Sequence, residues 1–298
     1  MAAAEPLTTY LELRVSAPDG SEGAGLTHHS SGLFLLHVLE VAAYGEPIGG
    51  VTIVHDAGDH GARYLAAARV LAEQHWAVAL PDMRGHGRSE GPRGHSLGAR
   101  EVLRDLQSVQ DHLAYRLPDA PKVLIGQGLG ALYALHFALE KPDALAALVL
   151  LSPRWKPAFD LPKPASGLKK LFSKPAPTDG ARIGNRSAAL SGVAAERNAW
   201  EGDALVHDVI TRRAAEAALE LAQDCRKRAS ELRVPTLLLH GESDEIAAAA
   251  DSKAFASPVV ELRLFPGKAH DLLHESGADQ LMGEIAAWLA GVIARARA

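Results

Sequence analysis

The chain reads as an α/β protein: a mostly parallel central sheet flanked by helices, with a helical segment inserted late. Three observations predict this. Short apolar runs alternate with stretches of helical period, as strands joined by crossover helices do. The longest near-continuous apolar run, 144–151, is far too short to span a bilayer and reads as a buried strand. At 298 residues, 47% hydrophobic and 22% charged, the chain can bury one large core or a core plus an insertion.

In chain order, 10–15 and 33–41 read as leading strands joined by a Gly/Ser/His-rich turn. Strands at 50–54 and 77–80 flank a helix over 62–74, and strands at 122–125 and 147–151 flank a second helix. From Ser152 to about Arg228 the alternation breaks. Prolines (Pro153, Pro157, Pro162, Pro164, Pro175, Pro177) give way to Ala-rich helical sequence, as in an inserted cap. Strands at 236–239 and 261–265 and an amphipathic helix over 279–296 complete the pattern. The expected division is core 1–151, cap 152–228 and core 229–298, and residues 1–30 carry no usable signal.

A net charge of −5 gives no basic field for nucleic acid. No basic n-region followed by an apolar h-region opens the sequence, and Cys225 is the sole cysteine, so no internal disulfide forms and a reducing, cytoplasmic setting is expected. The fourteen histidines show no paired ligand spacing, so neither a metal nor a cofactor is expected. The glycine-rich loop 82–95 has no Walker spacing and reads as structural.

After the strand at 122–125 comes Gly126-Gln127-Gly128-Leu129-Gly130, then a helical run. This is the frame of a G-x-S-x-G nucleophile elbow with the serine position held by Gly128. Together with 50–60 and the stretch Arg84-Gly85-His86-Gly87-Arg88-Ser89-Glu90-Gly91-Pro92-Arg93-Gly94-His95, it resembles the monoacylglycerol lipase and lysophospholipase branch of the α/β-hydrolases, the serine aminopeptidase-type hydrolases. The segment 203–207 is similar to the end of that family's cap. The resemblance covers the chain from about residue 50 onward, and implies an α/β-hydrolase fold and carboxylic-ester hydrolysis.

By that resemblance Asp244, in His240-Gly241-Glu242-Ser243-Asp244, is the acid of a triad. His270, in Pro266-Gly267-Lys268-Ala269-His270, is its base, with His274 a poorer match. Each follows the expected strand, so an Asp244–His270 hydrogen bond is expected. The vacant position at Gly128 removes the nucleophile, and no neighbour (Ser152, Ser243, Cys225) obviously replaces it. Losing a triad nucleophile costs on the order of a millionfold in turnover, about 8 kcal/mol of barrier.

A second motif has changed as well. The family's H-G-x-G turn reads His55-Asp56-Ala57-Gly58, with Ala57 and Leu129 implied as the oxyanion-binding amides. Asp56 pointing inward would oppose oxyanion stabilisation. Pointing outward, as expected here, it is a turn residue bonding its own backbone. The same two changes occur together in the N-myc downstream-regulated family, whose members are regarded as non-enzymatic, a similarity confined to these motifs. The reading is a pseudo-hydrolase that binds an apolar acyl ligand or a protein partner. The alternative is an enzyme using the Asp244–His270 dyad as general base on a water or an acidic substrate.

Within the expected cap, Arg154, Lys156, Lys163, Lys169, Lys170, Lys174 and Arg182 face only Asp160 and Asp179, interleaved with Trp155, Phe159, Leu161, Leu168, Leu171 and Phe172. That composition is compatible with peripheral contact to an anionic membrane. The favoured expectation is a solvated loop whose apolar residues seal the pocket.

Overall fold

The computed structural model describes residues 5–14, 33–161, 180–255 and 257–297. Strands β1 (Leu7–Arg14) and β2 (Leu33–Val41) pair antiparallel. After β3 (Gly49–Val54), a short 3-10 turn (Gly61–Tyr64) leads into α1 (Leu65–Glu73) and then β4 (Trp76–Pro81). Helix α2 (Ala99–Arg116) goes beyond the expected elements; its stripe of Val102, Leu106, Val109 and Leu113 is buried.

Next come β5 (Lys122–Gln127), α3 (Leu129–Glu140) and β6 (Ala147–Leu151). Between β6 and the next core strand lie β7 (Gly180–Arg182), α4 (Ser187–Leu190), α5 (Ala194–Gly202), β8 (Val209–Thr211) and α6 (Arg212–Lys227). The chain closes with β9 (Thr236–Gly241), α7 (Ala249–Ala254), β10 (Val260–Phe265) and α8 (Ala278–Arg297).

Eight strands form one sheet in the order β1-β2-β4-β3-β5-β6-β9-β10, parallel from β4 to β10, while β7 and β8 form a separate antiparallel pair. The central strands are largely apolar because both faces are covered, with Thr52, Gln127, Thr236 and His240 as buried polar exceptions. Leu124, Leu148, Leu150 and Leu238 face a core shared with α3 and α6. Their neighbours Val123, Ile125, Val149, Leu237 and Leu239 face the other core, with α1 and α8. This is the period-two alternation of a strand, feeding two cores from one run. The alanine face of α6 (Ala214, Ala215, Ala218, Ala222) packs with α3 in the first core. Thr211 caps that helix, its Oγ1 accepting from the Ala214 amide at 3.4 Å.

The observed β2 and β6 coincide with the expected strands, β1 starts three residues earlier, and the others extend by one or two residues. Val15 and most of the expected Gly/Ser/His-rich turn, with Lys163, Lys169, Lys170, Lys174, Leu168, Leu171, Phe172 and the prolines between, lie outside the described residues. Among the described residues no helix is long and apolar enough to cross a membrane.

Candidate active site

Parallel strands all point their carboxyl ends to one edge of the sheet, where ligands of open α/β folds gather. Five strands deliver side chains or turns there: β3 leads to Asp56, β5 to Gly128, β6 to Arg154, β9 to Asp244 and β10 to His270.

Gly128 sits on the strand-to-helix turn between β5 and α3 at φ 57°, ψ −113°, a conformation that strains any residue with a Cβ. Its amide donates to Leu151 O at 2.9 Å and its carbonyl accepts from the Arg154 amide at 3.2 Å, tying the turn to the end of β6. Gly126 and Gly130 permit close packing of α3 on the sheet: a Cβ at Gly130 would stand 2.4 Å from the Val54 and His55 carbonyl oxygens. A Cβ at Gly128 would stand 2.2 Å from both Cγ and Oδ1 of Asp56. The space a side chain at position 128 would take is therefore filled by the carboxylate of Asp56.

This corrects the expectation that Asp56 faces outward. Its Oδ1 accepts from the Leu129 amide at 2.7 Å and from Arg154 Nε at 2.8 Å. Its Oδ2 accepts from Arg154 Nε at 3.0 Å, Arg154 Nη2 at 2.5 Å and His270 Nε2 at 3.2 Å. The reason is electrostatic. A carboxylate just past β3 lies beside a guanidinium, a backbone amide at a helix start and an imidazole, and a buried charge is retained only where such donors meet it. Burial pushes the Asp56 carboxyl up, but Arg154 first and His270 after it hold it well below the usual carboxylate range. Of the two implied oxyanion amides, Leu129 is thus occupied by Asp56, and Ala57 lines the adjoining cavity.

Arg154 is also corrected. It is not part of a basic outer face but 3% exposed, with Nη2 donating to Asn185 Oδ1 at 2.8 Å as well as to Asp56. Trp155 is likewise buried, stacked on Phe255 at 4.4 Å. Exposed Lys156 and Arg182 are paired with Asp251 and Asp208.

The structure brings Asp244 and His270 together: His270 Nδ1 donates to Asp244 Oδ2 at 2.7 Å. Asp244 Oδ1 accepts from the Ile246 and Ala247 amides at 2.7 and 2.8 Å. A second histidine holds the same carboxylate. His240 Nε2 lies 3.0 Å from Asp244 Oδ2 and 2.8 Å from Ala247 O, so it carries the proton, because a carbonyl only accepts. Its Nδ1 then accepts from Ser252 Oγ at 2.7 Å, and Ser252 accepts from Trp155 Nε1 at 2.8 Å. With these donors, and His270 foremost among the groups opposing desolvation, Asp244 stays ionised far below its ordinary range.

His270 therefore donates at both ring nitrogens, to one carboxylate on each side. Burial alone would lower its pKa; Asp244, then Asp56, raise it to about 9. At neutral pH it is an imidazolium with no lone pair for a proton. His274 belongs elsewhere, with Nδ1 2.7 Å from Asp271 and Nε2 donating to Arg63 O at 3.0 Å.

Beside Asp56 lies a cavity of about 30 Å³ lined by Ala57, Met83, Val102, Leu129, Tyr133 and Ile210, among others. That is roughly one water's share of the liquid. Among the described residues it is too small for an acyl chain, and His270 does not line it. In loop 82–95, buried Asp82 accepts from the Gly61 and Arg88 amides at 2.7 and 2.8 Å, and Arg84 donates to Glu101 and Asp105. Its charges are spent on holding the loop. Among the described residues no three His, Cys, Asp or Glu side chains are arranged to hold a metal.

Arg154, Asn185, His240 and Ser252 were not legible as site residues. One signal was available for Arg154: an inward Asp56 demands a buried cation, and Arg154 follows β6 at the same sheet edge.

The sheet order, the elbow and the Asp244–His270 pair define an α/β-hydrolase. Residues 45–277 match the model of the serine aminopeptidase S33 hydrolases (Hydrolase_4), and the chain belongs to that family. It is 27% identical to a monoacylglycerol lipase of Mycolicibacterium smegmatis over 250 residues, covering 82% of this chain and 89% of that one. It is 28% identical over 250 residues to an uncharacterized abhydrolase domain-containing protein of Dictyostelium discoideum, covering 82% of this chain but 26% of that longer protein. The crystal structure of Paleococcus ferrophilus monoacylglycerol lipase superposes with a TM-score of 0.74 at 25% identity, over 86% of this chain and 99% of that one.

Proposed function

We propose that this chain is a monoacylglycerol lipase-like pseudo-hydrolase, a family member that does not hydrolyse esters and acts by binding, with 152–228 as its cap. One observation carries the reading: the carboxylate of Asp56 stands where the attacking hydroxyl would stand and occupies the Leu129 amide. Substrate carbonyl, nucleophile and oxyanion would all need that space. A cavity of about 30 Å³ leaves no room for an acyl chain in this state, which favours a protein partner over a resident lipid. The Asp244–His270 dyad is a poor general base here, since its imidazole is already protonated at neutral pH and engaged at both nitrogens.

The test is turnover of p-nitrophenyl butyrate and monoacylglycerols by purified protein, with labelling by a fluorophosphonate probe in parallel. Neither activity nor labelling is expected. Ester turnover that disappears in His270→Ala would overturn the proposal.

A further inference from the structure

Asp56 sits in this centre as a carboxylic acid ligand would. Beyond Cα its side chain is CH2–COO⁻, the skeleton of acetate. One oxygen accepts from the Leu129 amide and Arg154 Nε, the other from Arg154 Nε, Arg154 Nη2 and His270 Nε2. Each of these donors also has a hold outside the Asp56 side chain, although Asn185 in turn donates to Ala57 O at 3.4 Å. Leu129 opens α3; Arg154 is held by Asn185 Oδ1 at 2.8 Å and through its amide by Gly128 O at 3.2 Å. His270 is held by Asp244 at 2.7 Å, and its carbonyl accepts from Gln127 Nε2 at 3.0 Å. Next to the carboxylate, the cavity of about 30 Å³ extends between Ala57, Met83, Leu129 and Ile210, room for about one or two further carbons.

We propose that Arg154, the Leu129 amide and His270 form a binding site for short-chain monocarboxylates, which the chain fills with its own Asp56. The site is a receptor with a tethered occupant. It selects carboxylate by the guanidinium fork, which matches two oxygens, and by the amide at the head of a helix. It selects short chains because the cavity beside it is small, about 30 Å³. The proposal deepens the non-hydrolytic reading and rests on it, since a working nucleophile would claim the same volume.

Deleting the tethered group should open the site. Asp56→Gly is studied by thermal unfolding in sodium acetate, propionate, octanoate and chloride at equal ionic strength, and in acetamide. The wild-type protein is expected to show no saturable response to any of them, only their general solvent effects. Asp56→Gly is expected to gain a saturable rise in melting temperature with acetate and propionate, and none with acetamide, chloride or octanoate. Adding Arg154→Met should raise the half-saturating acetate concentration at least tenfold. Because Asp56→Gly leaves Arg154 buried and unpaired, the variant is expected to depend on acetate for soluble folding if it fails to fold in chloride. The yield in acetate against chloride is then the same readout, repeated with Asp56→Ala. A folded Asp56→Gly indifferent to acetate would overturn the proposal. So would an acetate response that survives Arg154→Met, an equal response to octanoate, or failure of acetate to recover either variant. Ester turnover by the wild-type protein would sink the pseudo-hydrolase reading without touching this measurement.

Discussion

Restoring the serine alone should damage this protein without reviving it. In Gly128→Ser the new Cβ must find room 2.2 Å from Asp56 Cγ, at a backbone φ of 57°. The backbone strain costs about 1–3 kcal/mol. Pushing Asp56 off Arg154 and His270 breaks a buried charge cluster, for which removal of one partner costs about 3–5 kcal/mol. The single variant should therefore lose roughly 4–8 kcal/mol if the carboxylate is driven off its partners, and less where it yields only in part. In an Asp56→Gly background the collision is gone and the same substitution costs only the strain. A double-mutant cycle by urea unfolding should thus give a coupling of at least about 2 kcal/mol in favour of the double variant. The double variant should also show p-nitrophenyl butyrate turnover that the single lacks, because the serine regains the Leu129 amide and His270. A Gly128→Ser protein as stable as wild type, or additive effects in the cycle, would refute the placement of Asp56.

Stability should fall as pH rises from about 6.5 to 9. His270, with its pKa raised to about 9 from an ordinary 6.5, contributes fully below 6.5 and loses its contribution through 9, up to about 3 kcal/mol. Chemical denaturation across that range should show the loss, and His270→Gln should flatten it, although His274, also raised to about 9, will leave a remainder. Asp56 and Asp244 work oppositely: depressed in the fold, they contribute above about pH 4 and are lost as acid reaches their folded values, so their share of the stability disappears only at strongly acidic pH. His207, lowered to about 4 by burial, already costs stability as pH falls below about 6.5. Ser252→Ala should cost about 2 kcal/mol in thermal unfolding, because it strips partners from Trp155 Nε1 and His240 Nδ1 together. Cys225, fully buried with its thiol pushed up to about 12, should resist Ellman's reagent until the protein unfolds.

What the sequence by itself determined was local. Strand positions followed from runs of apolar residues such as 147–151, because a strand covered on both faces has no polar position to spare. The turn at Gly128 followed from three glycines between a strand and a helix, and Asp244 and His270 from motifs resembling the family's acid and histidine motifs, each after its expected strand. Even α2, passed over in the reading, was spelled by its stripe of Val102, Leu106, Val109 and Leu113.

What only the tertiary structure decided was where charge goes. Whether Asp56 turns inward depends on the guanidinium of Arg154, 98 residues away, and the imidazole of His270, 214 residues away. No spacing or periodicity in the chain links these three. Composition placed Arg154 among exposed lysines, because a side chain's partner cannot be read from its neighbours in sequence. Folding sets the carboxyl ends of β3, β5, β6, β9 and β10 side by side, and there a buried carboxylate takes the donors within reach, since leaving it unpaired would cost more than the turn it abandons.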